Sequence, residues 1–401
     1  MLAAPLSALA EDAANPFPRL AEKLAANHPA TIVCLGDSVT GVYYHTGGRR
    51  AYPEMLAVAL GQAYPQARLN VVNAGISGDT TTGALNRLQK DVLDHKPELV
   101  TVMFGLNDMV RVPIDDYQAN LQSIIQQCRG VGADVLLCTP NAVIDSGGRP
   151  TTKLVKYCDA IKQVAKKWDV PVCDCYAAHA ALRESDPLAW RLLMSDAIHP
   201  NMDGHKVNAQ ALCQTITGDQ VSLQDVAPPQ PAITKTLARL QAGEPVKVLA
   251  MAPFDTLLSK AIASVHPQAK VEVTAWATEG KSLSEIEEFS KTVRAGKFDL
   301  VLVAVPLEAT PVQVPPPEAT IASYTWILNW SLSFGHQEWD VVGITPSLLH
   351  AQLSDTEKNA ENFARQLIAA QDLTAIVRSD GETSSAAEIL AGWFRKQAHA
   401  E

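Results

Sequence analysis

Cysteine is missing from the last 188 residues of this 401-residue chain: all seven stand between Cys34 and Cys213. Their number is odd, their spacings match no zinc pattern, and Cys173/Cys175 falls one residue short of a CxxC. Neither a disulfide framework nor a metal knuckle is expected. Cys34 and Cys138 sit inside apolar runs, where a thiol behaves as a small hydrophobe, so buried reduced thiols are expected. Positive charge is scarce too. Lys and Arg number 33 against 43 Asp and Glu, a formal net charge of −10, which is the wrong sign for a surface that tracks a nucleic-acid backbone. No run approaches the roughly 20 continuous apolar residues that a membrane span needs. H-E-x-x-H and any other plausible metal cluster are absent, so no metal or other cofactor is expected. G-x-S-x-G is absent as well, which argues against the nucleophile elbow of an α/β-hydrolase. Gly280-Lys-Ser282 follows a strand pattern, but Ala275 stands where a P-loop needs its first glycine.

What is present reads as a well-cored globular chain, 47% hydrophobic and 19% charged, long enough for two domains. Met1 to Ala10 is small and apolar and ends in Ala-Leu-Ala, resembling the tail of a signal peptide without its basic region. That favours a periplasmic or secreted location over the cytoplasm, while the lack of a disulfide framework weighs against it.

Short Val/Leu-rich runs alternate with helix-period segments, the pattern of βαβ units around a parallel sheet covered on both faces. Strands are expected at Thr31–Leu35, Leu69–Asn73, Leu99–Phe104, Asp134–Thr139 and Val170–Asp174. Helices are expected near Tyr52–Tyr64, Asp115–Arg129, Lys153–Trp168 and Gly204–Thr215. Residues 218–245 break the rhythm with Ala227-Pro-Pro-Gln-Pro231, a stiff connector followed by one short helical stretch. The same grammar then restarts, with strands expected at Val246–Met251, Lys270–Ala275, Asp299–Ala304, Asp340–Thr345 and Leu373–Arg378. The halves align: Thr31–Leu35 on Lys247–Met251, Pro97–Val102 on Phe298–Val303, and Asp134–Pro140 on Asp340–Pro346, with a strand-ending Thr-Pro in both. The expected organisation is an extension (1–29), a first α/β domain (30–217), a linker (218–245) and a second α/β domain (246–397).

Chemistry gathers at the strand ends of the first half. The first strand runs into Gly36-Asp-Ser38, placing a hydroxyl at the crevice where parallel sheets bind ligands. Asp196-Ala-Ile-His199-Pro200 can supply a base for that hydroxyl and a carboxylate to orient the base. Between them, Asn73-Ala-Gly-Ile-Ser-Gly78 follows the second strand and Gly105-Leu-Asn107-Asp108 the third. Gly78 can offer a backbone N–H and Asn107 a side-chain amide to a developing oxyanion.

Taken in order, these four fragments resemble the SGNH/GDSL hydrolase family: Ser38 in GDS, Gly78, Asn107 in GxND, and His199 in DxxHP. The resemblance covers about Ala30 to Ile216. It implies a flavodoxin-like three-layer parallel sheet, which the alignment of the halves repeats in tandem, and a serine esterase acting through an acyl-enzyme. Ser38, Asp196 and His199 would form the triad, and Ser38, Gly78 and Asn107 the oxyanion hole. Tyr43, Tyr44, His45, Arg49 and Arg50 follow the nucleophile and, with Asp108, are candidate substrate contacts. Polar and aromatic residues there suit a carbohydrate or other small O-acetyl ester. A lipase, lysophospholipase or thioesterase remains an alternative, as does a glycan-binding protein with vestigial hydrolysis. In the second half Phe254 falls on Ser38 and Glu308 near Asn107, and no D-x-x-H-P follows residue 245, so that half is expected to be inactive. Trp326, Trp330 and Phe334 stand at helical spacing and are read as core.

Overall fold

The structure, a computed structural model, describes residues 15–399; the apolar stretch Met1 to Ala10 lies outside them. Its frame is two five-stranded parallel sheets. The first holds β1 (Ala30–Gly36), β2 (Leu69–Gly75), β3 (Leu99–Met103), β4 (Asp134–Cys138) and β5 (Val172–Cys173) in the order β2-β1-β3-β4-β5. The second holds β6 (Val246–Met251), β7 (Val271–Trp276), β8 (Leu300–Val303), β9 (Asp340–Ile344) and β10 (Ala375–Ile376) in the order β7-β6-β8-β9-β10. Both are the flavodoxin-like arrangement, with the strand order reversing beside the first strand of each sheet.

The sheets also share a register. Ile32 lies opposite Val71 and Leu99, as Val248 lies opposite Val273 and Leu300. Leu99 faces Asp134 as Leu300 faces Asp340, and Leu137 faces Val172 as Gly343 faces Ala375. The central strands β3 and β8 are buried along their whole length, which explains why they read as unbroken apolar runs. Tyr52–Ala63 packs with Met202–Thr217, while Ile114–Gly130 packs with Thr81–Asp91 and Thr151–Trp168. Right-handed crossovers put these two groups on opposite faces. No described helix is long and apolar enough to cross a membrane.

Three expectations change, one of them at β10, which was expected over Leu373–Arg378 and spans only Ala375–Ile376. The fifth strand is two residues long, because Pro171 has no N–H to give to a ladder and Asp174 caps the helix Cys175–Ser185 through the N–H of Ala177. Residues 218–245 are not a free connector. Leu223 joins the first core, and the helix Thr234–Gln241 buries Leu237 and Leu240 in the second. The N–H of Thr236 donates to Asp340 Oδ2 over 2.6 Å.

Residues 43–50 form a tongue that reaches from the first half into the second. The Tyr44 ring belongs to the second core, its N–H donates to the Phe334 carbonyl, and the Gln337 N–H donates to the Gly48 carbonyl. Gly47 and Gly48 have φ of 74° and 72°; a Cβ on either would press within 2.8 Å of the Gln371 or Gly335 carbonyl. At the base of the tongue Arg50 grips Asp372 with two bonds, of 2.7 and 2.8 Å. The Asp372 side chain is only 2% exposed. Burial pushes its carboxyl up and Arg50 opposes the shift. Arg50→Ala leaves that charge buried and alone, so urea unfolding should show a loss of about 3 kcal/mol. The Arg50→Ala/Asp372→Ala double variant should lose less than the sum of the two single ones.

Candidate active site

The end of β1 delivers Gly36-Asp37-Ser38 into a tight turn in which the N–H groups of Thr40 and Gly41 donate to the Asp37 carbonyl. Ser38 then faces the loop before the helix Met202–Thr217. That loop is folded by its own aspartate. Asp196 Oδ1 accepts the N–H groups of Ile198 and His199, at 2.9 and 2.8 Å, an arrangement in which an Asx side chain closes its own turn. Asp196 Oδ2 lies 2.7 Å from His199 Nδ1, and His199 Nε2 lies 2.8 Å from Ser38 Oγ. A carboxylate can only accept, so Nδ1 carries the proton and Nε2 is free to accept from the serine hydroxyl. Burial alone would push the Asp196 carboxyl up. The charge and hydrogen bond of His199, with the two backbone N–H groups, outweigh that and hold it well below the usual range.

A second donor reaches the same oxygen: the Tyr44 hydroxyl, 2.8 Å from Asp196 Oδ2. The tongue thus fixes the carboxylate from the far side, and the Arg294 guanidinium lies 5.1 Å over the Tyr44 ring. The neighbouring residue is fastened as well. Ser195 Oγ donates to Asn329 Oδ1, Asn329 Nδ2 donates to the Ser195 carbonyl, and Gln371 Nε2 donates to Ser195 Oγ, at 2.9–3.0 Å. All three side chains are buried.

His45 lies beneath His199 with ring centroids 4.5 Å apart and planes within 5°. Burial and the neighbouring His199 and His205 hold His45 well below the usual histidine range, so the ring stacks as a neutral plate. His205, also buried, accepts the Tyr52 N–H at Nδ1 and is pushed down to about 3, chiefly by burial. Asp37 moves the other way, up to about 7, again chiefly by burial.

Gly78 follows β2 in the left-handed region, φ 73°, and its carbonyl accepts from Arg111. Asn107 follows β3; its Nδ2 donates to the Asp79 carbonyl at 3.0 Å and lies 3.4 Å from Asp37 Oδ2, while its Oδ1 accepts from Arg149. Ser38, Gly78, Asn107 and His199 border one cavity of about 180 Å³ with Tyr43, Tyr44 and His45. Four further residues line it that the sequence does not mark as site residues: Ser77, Arg149, Ile198 and Phe334.

Phe334 corrects the sequence reading. The helix ends at Ser331, and Phe334 stands 53% exposed at the cavity mouth instead of in the core. Arg49 and Arg50 do not line the cavity: Arg49 donates to the Pro229 and Pro231 carbonyls, and Arg50 holds Asp372. Asp108 is fully buried and accepts the N–H and hydroxyl of Thr81, closing the β2 loop onto the β3 loop. Among the described residues no three His, Cys, Asp or Glu side chains are grouped to hold a metal ion.

A family model for GDSL-like lipases and acylhydrolases matches residues 34–207, the span that carries every one of these loops. An acetylxylan esterase of Geobacillus stearothermophilus is 31% identical over 168 residues, 38% of this chain and 74% of that protein. The chain belongs to the GDSL-like lipase/acylhydrolase family. It is a carboxylic ester hydrolase. Another member, the thioesterase 1/protease 1/lysophospholipase L1 of Escherichia coli, is 29% identical over 174 residues, 43% of this chain and 76% of that one. A crystal structure of an acetylxylan esterase from Geobacillus stearothermophilus aligns with 26% identity and a TM-score of 0.42, covering 49% of this chain and 97% of that one.

The buried histidines of this GDSL hydrolase make its stability depend on pH. His205 is depressed in the folded state, so the unfolded chain binds more protons between about pH 3 and its unfolded value. The stability this residue contributes is therefore present above about 6.5 and is lost as pH falls. His205→Asn keeps an acceptor for the Tyr52 N–H but cannot titrate. Between pH 7 and pH 5 the wild type should lose about 2 kcal/mol more than this variant in urea unfolding; equal losses would count against the buried neutral ring.

Proposed function

We propose that the chain is a short-chain O-acyl esterase, most suited to acetyl esters of carbohydrates or other small hydroxylated compounds. The observation that carries this reading is the unbroken line of contacts from Asp196 through His199 to Ser38, opening into a cavity of only about 180 Å³. In this reading His199 Nε2 takes the Ser38 proton as Oγ attacks the ester carbonyl, and Asp196 stabilises the imidazolium. The tetrahedral oxyanion is received by the N–H groups of Ser38 and Gly78 and the amide of Asn107. The proton then passes to the departing alcohol, and a water activated by His199 frees the acyl group from Ser38.

A space that holds about six waters suits an acetyl group better than a long acyl chain. The aromatic mouth of Tyr43, Tyr44 and Phe334 suits the face of a sugar ring. The acetylxylan esterase relative supports the acetyl reading; the thioesterase/lysophospholipase relative marks the alternative. We read residues 246–397 as a diverged, inactive copy of the first unit, on the strength of the shared strand order and register. That register sets Phe254, 1% exposed, where the first unit has Ser38.

The test is a panel of acetyl, butyryl and octanoyl esters together with acetylated oligosaccharides. Acetyl esters should show the highest kcat/KM, and a preference for octanoyl would overturn the short-chain reading. Ser38→Ala in the full chain should lower kcat by about 10⁴-fold or more without changing the unfolding midpoint greatly. Because that variant retains the second unit intact, residual turnover that a further Asn107→Ala substitution leaves unchanged would refute the inactivity of residues 246–397. Asn107→Ala should lower kcat by about 10²–10³ with KM nearly unchanged; an effect on KM alone would make Asn107 a substrate-binding group instead.

A further inference from the structure

The second unit has a crevice of its own in the place where the first unit has its catalytic cavity. It opens at the carboxyl ends of β6, β8 and β9 and measures about 790 Å³, against about 180 Å³ for the catalytic cavity. Following the shared register, Phe254 replaces Ser38 and Glu308 replaces Asn107, but Gly280 falls on Gly78. The likeness extends to the backbone. Gly78 and Gly280 both lie in the left-handed region, at φ 73° and 67°, and each stands two residues before a helix cap, Thr80 or Ser282. The Gly280 N–H has no partner among the described residues. Counting back from the caps of the final helices, Asn201 and Ser385, Thr383 stands where the first unit has His199. Nucleophile and base are gone, while the N–H that faces a carbonyl oxygen in such a site persists.

The lining sets the chemistry. Phe254, Val305, Leu307, Ile344 and Pro346 make apolar walls, and all five are buried. Of the exposed large hydrophobic side chains, only Leu349 lies on the rim. The apolar surface is therefore inside a hollow and not on a flat face of the kind that receives another protein. Two acidic side chains, Glu279 and Glu308, stand against Lys281 at the edge, too small a net charge to recruit a polyanion or polycation.

We propose that this crevice is a non-catalytic binding site for an uncharged small molecule with an aryl or acyl body and one carbonyl oxygen, which accepts the Gly280 N–H. The ligand is held and not cleaved, because Phe254 stands where the first unit has Ser38 and Thr383 where it has His199. The place of the site rests on the register common to the two units, and the role of the Gly280 N–H rests on the proposed oxyanion hole; binding by the Ser38→Ala chain is read separately from hydrolysis.

The test uses the full-length Ser38→Ala chain and the amide N-phenylbutanamide, titrated by calorimetry. One saturable site with Kd of about 1 mM or below is expected. N-butylaniline, which lacks the carbonyl, should bind roughly tenfold more weakly. Ala309→Trp fills the crevice from its short 3₁₀ turn, and Leu349→Arg charges its rim without touching the core; each should weaken binding at least tenfold. If Ala309→Trp fails to fold, Leu349→Arg decides alone. No binding of the amide, binding that survives Leu349→Arg, or equal binding of the two probes would each overturn the proposal. A sedimentation change on Leu349→Arg would show that a second copy covers the crevice, and would overturn it too.

Discussion

The site depends on one carboxylate being held from every side. Asp196 receives two backbone N–H groups at one oxygen and an imidazole and a phenol at the other. A carboxylate has about four lone-pair directions, and all are engaged. It can therefore stay ionised at a position where burial alone would favour the neutral acid. The fourth donor, Tyr44, is the unusual one, because its ring is anchored in the core of the other unit. The geometry of a base in one unit thus depends on packing in its neighbour, and Ser195, Asn329 and Gln371 repeat the dependence one residue along the chain.

This coupling assigns the second unit a structural part in the first. That unit contributes Phe334 to the mouth of the Ser38 cavity and accepts the tongue of residues 43–50. Two glycines permit the close approach, since side chains at Gly47 and Gly48 would strike carbonyls of the opposite unit. Ser195, Asn329 and Gln371, which link the two units, are buried, and hydrogen bonds made in such surroundings favour one arrangement over several.

The strand cores, their order along the chain and the four loops that meet at the cavity were readable because each is a local signal. Unbroken Val/Leu runs mark strands covered on both faces, and a catalytic side chain at a strand end has only a few residues in which to sit. The helix Thr81–Asp91 was not read: its opening Thr-Thr-Gly has weak helical preference, and the Thr80 cap that starts it resembles an ordinary turn residue. Phe334 and Arg149 were invisible for another reason. They reach the cavity from 296 and 111 residues beyond Ser38 in sequence, and nothing local marks a side chain whose partner is set by tertiary packing. Arg49 and Arg50 misled in the opposite sense. Position beside the nucleophile suggested substrate, but their guanidiniums meet backbone carbonyls and a buried aspartate in the other half of the chain.

The seven thiols, all free and all buried in the first unit, form a natural clock for that unit alone. Burial pushes those of Cys34, Cys128 and Cys158 up to about 12, so in the folded chain they are neither accessible nor nucleophilic. An alkylating reagent can count them only when the first sheet opens, while the second unit, having no cysteine, stays silent. Mass added over time would therefore separate the opening of one sheet from the opening of the whole chain, with no label introduced.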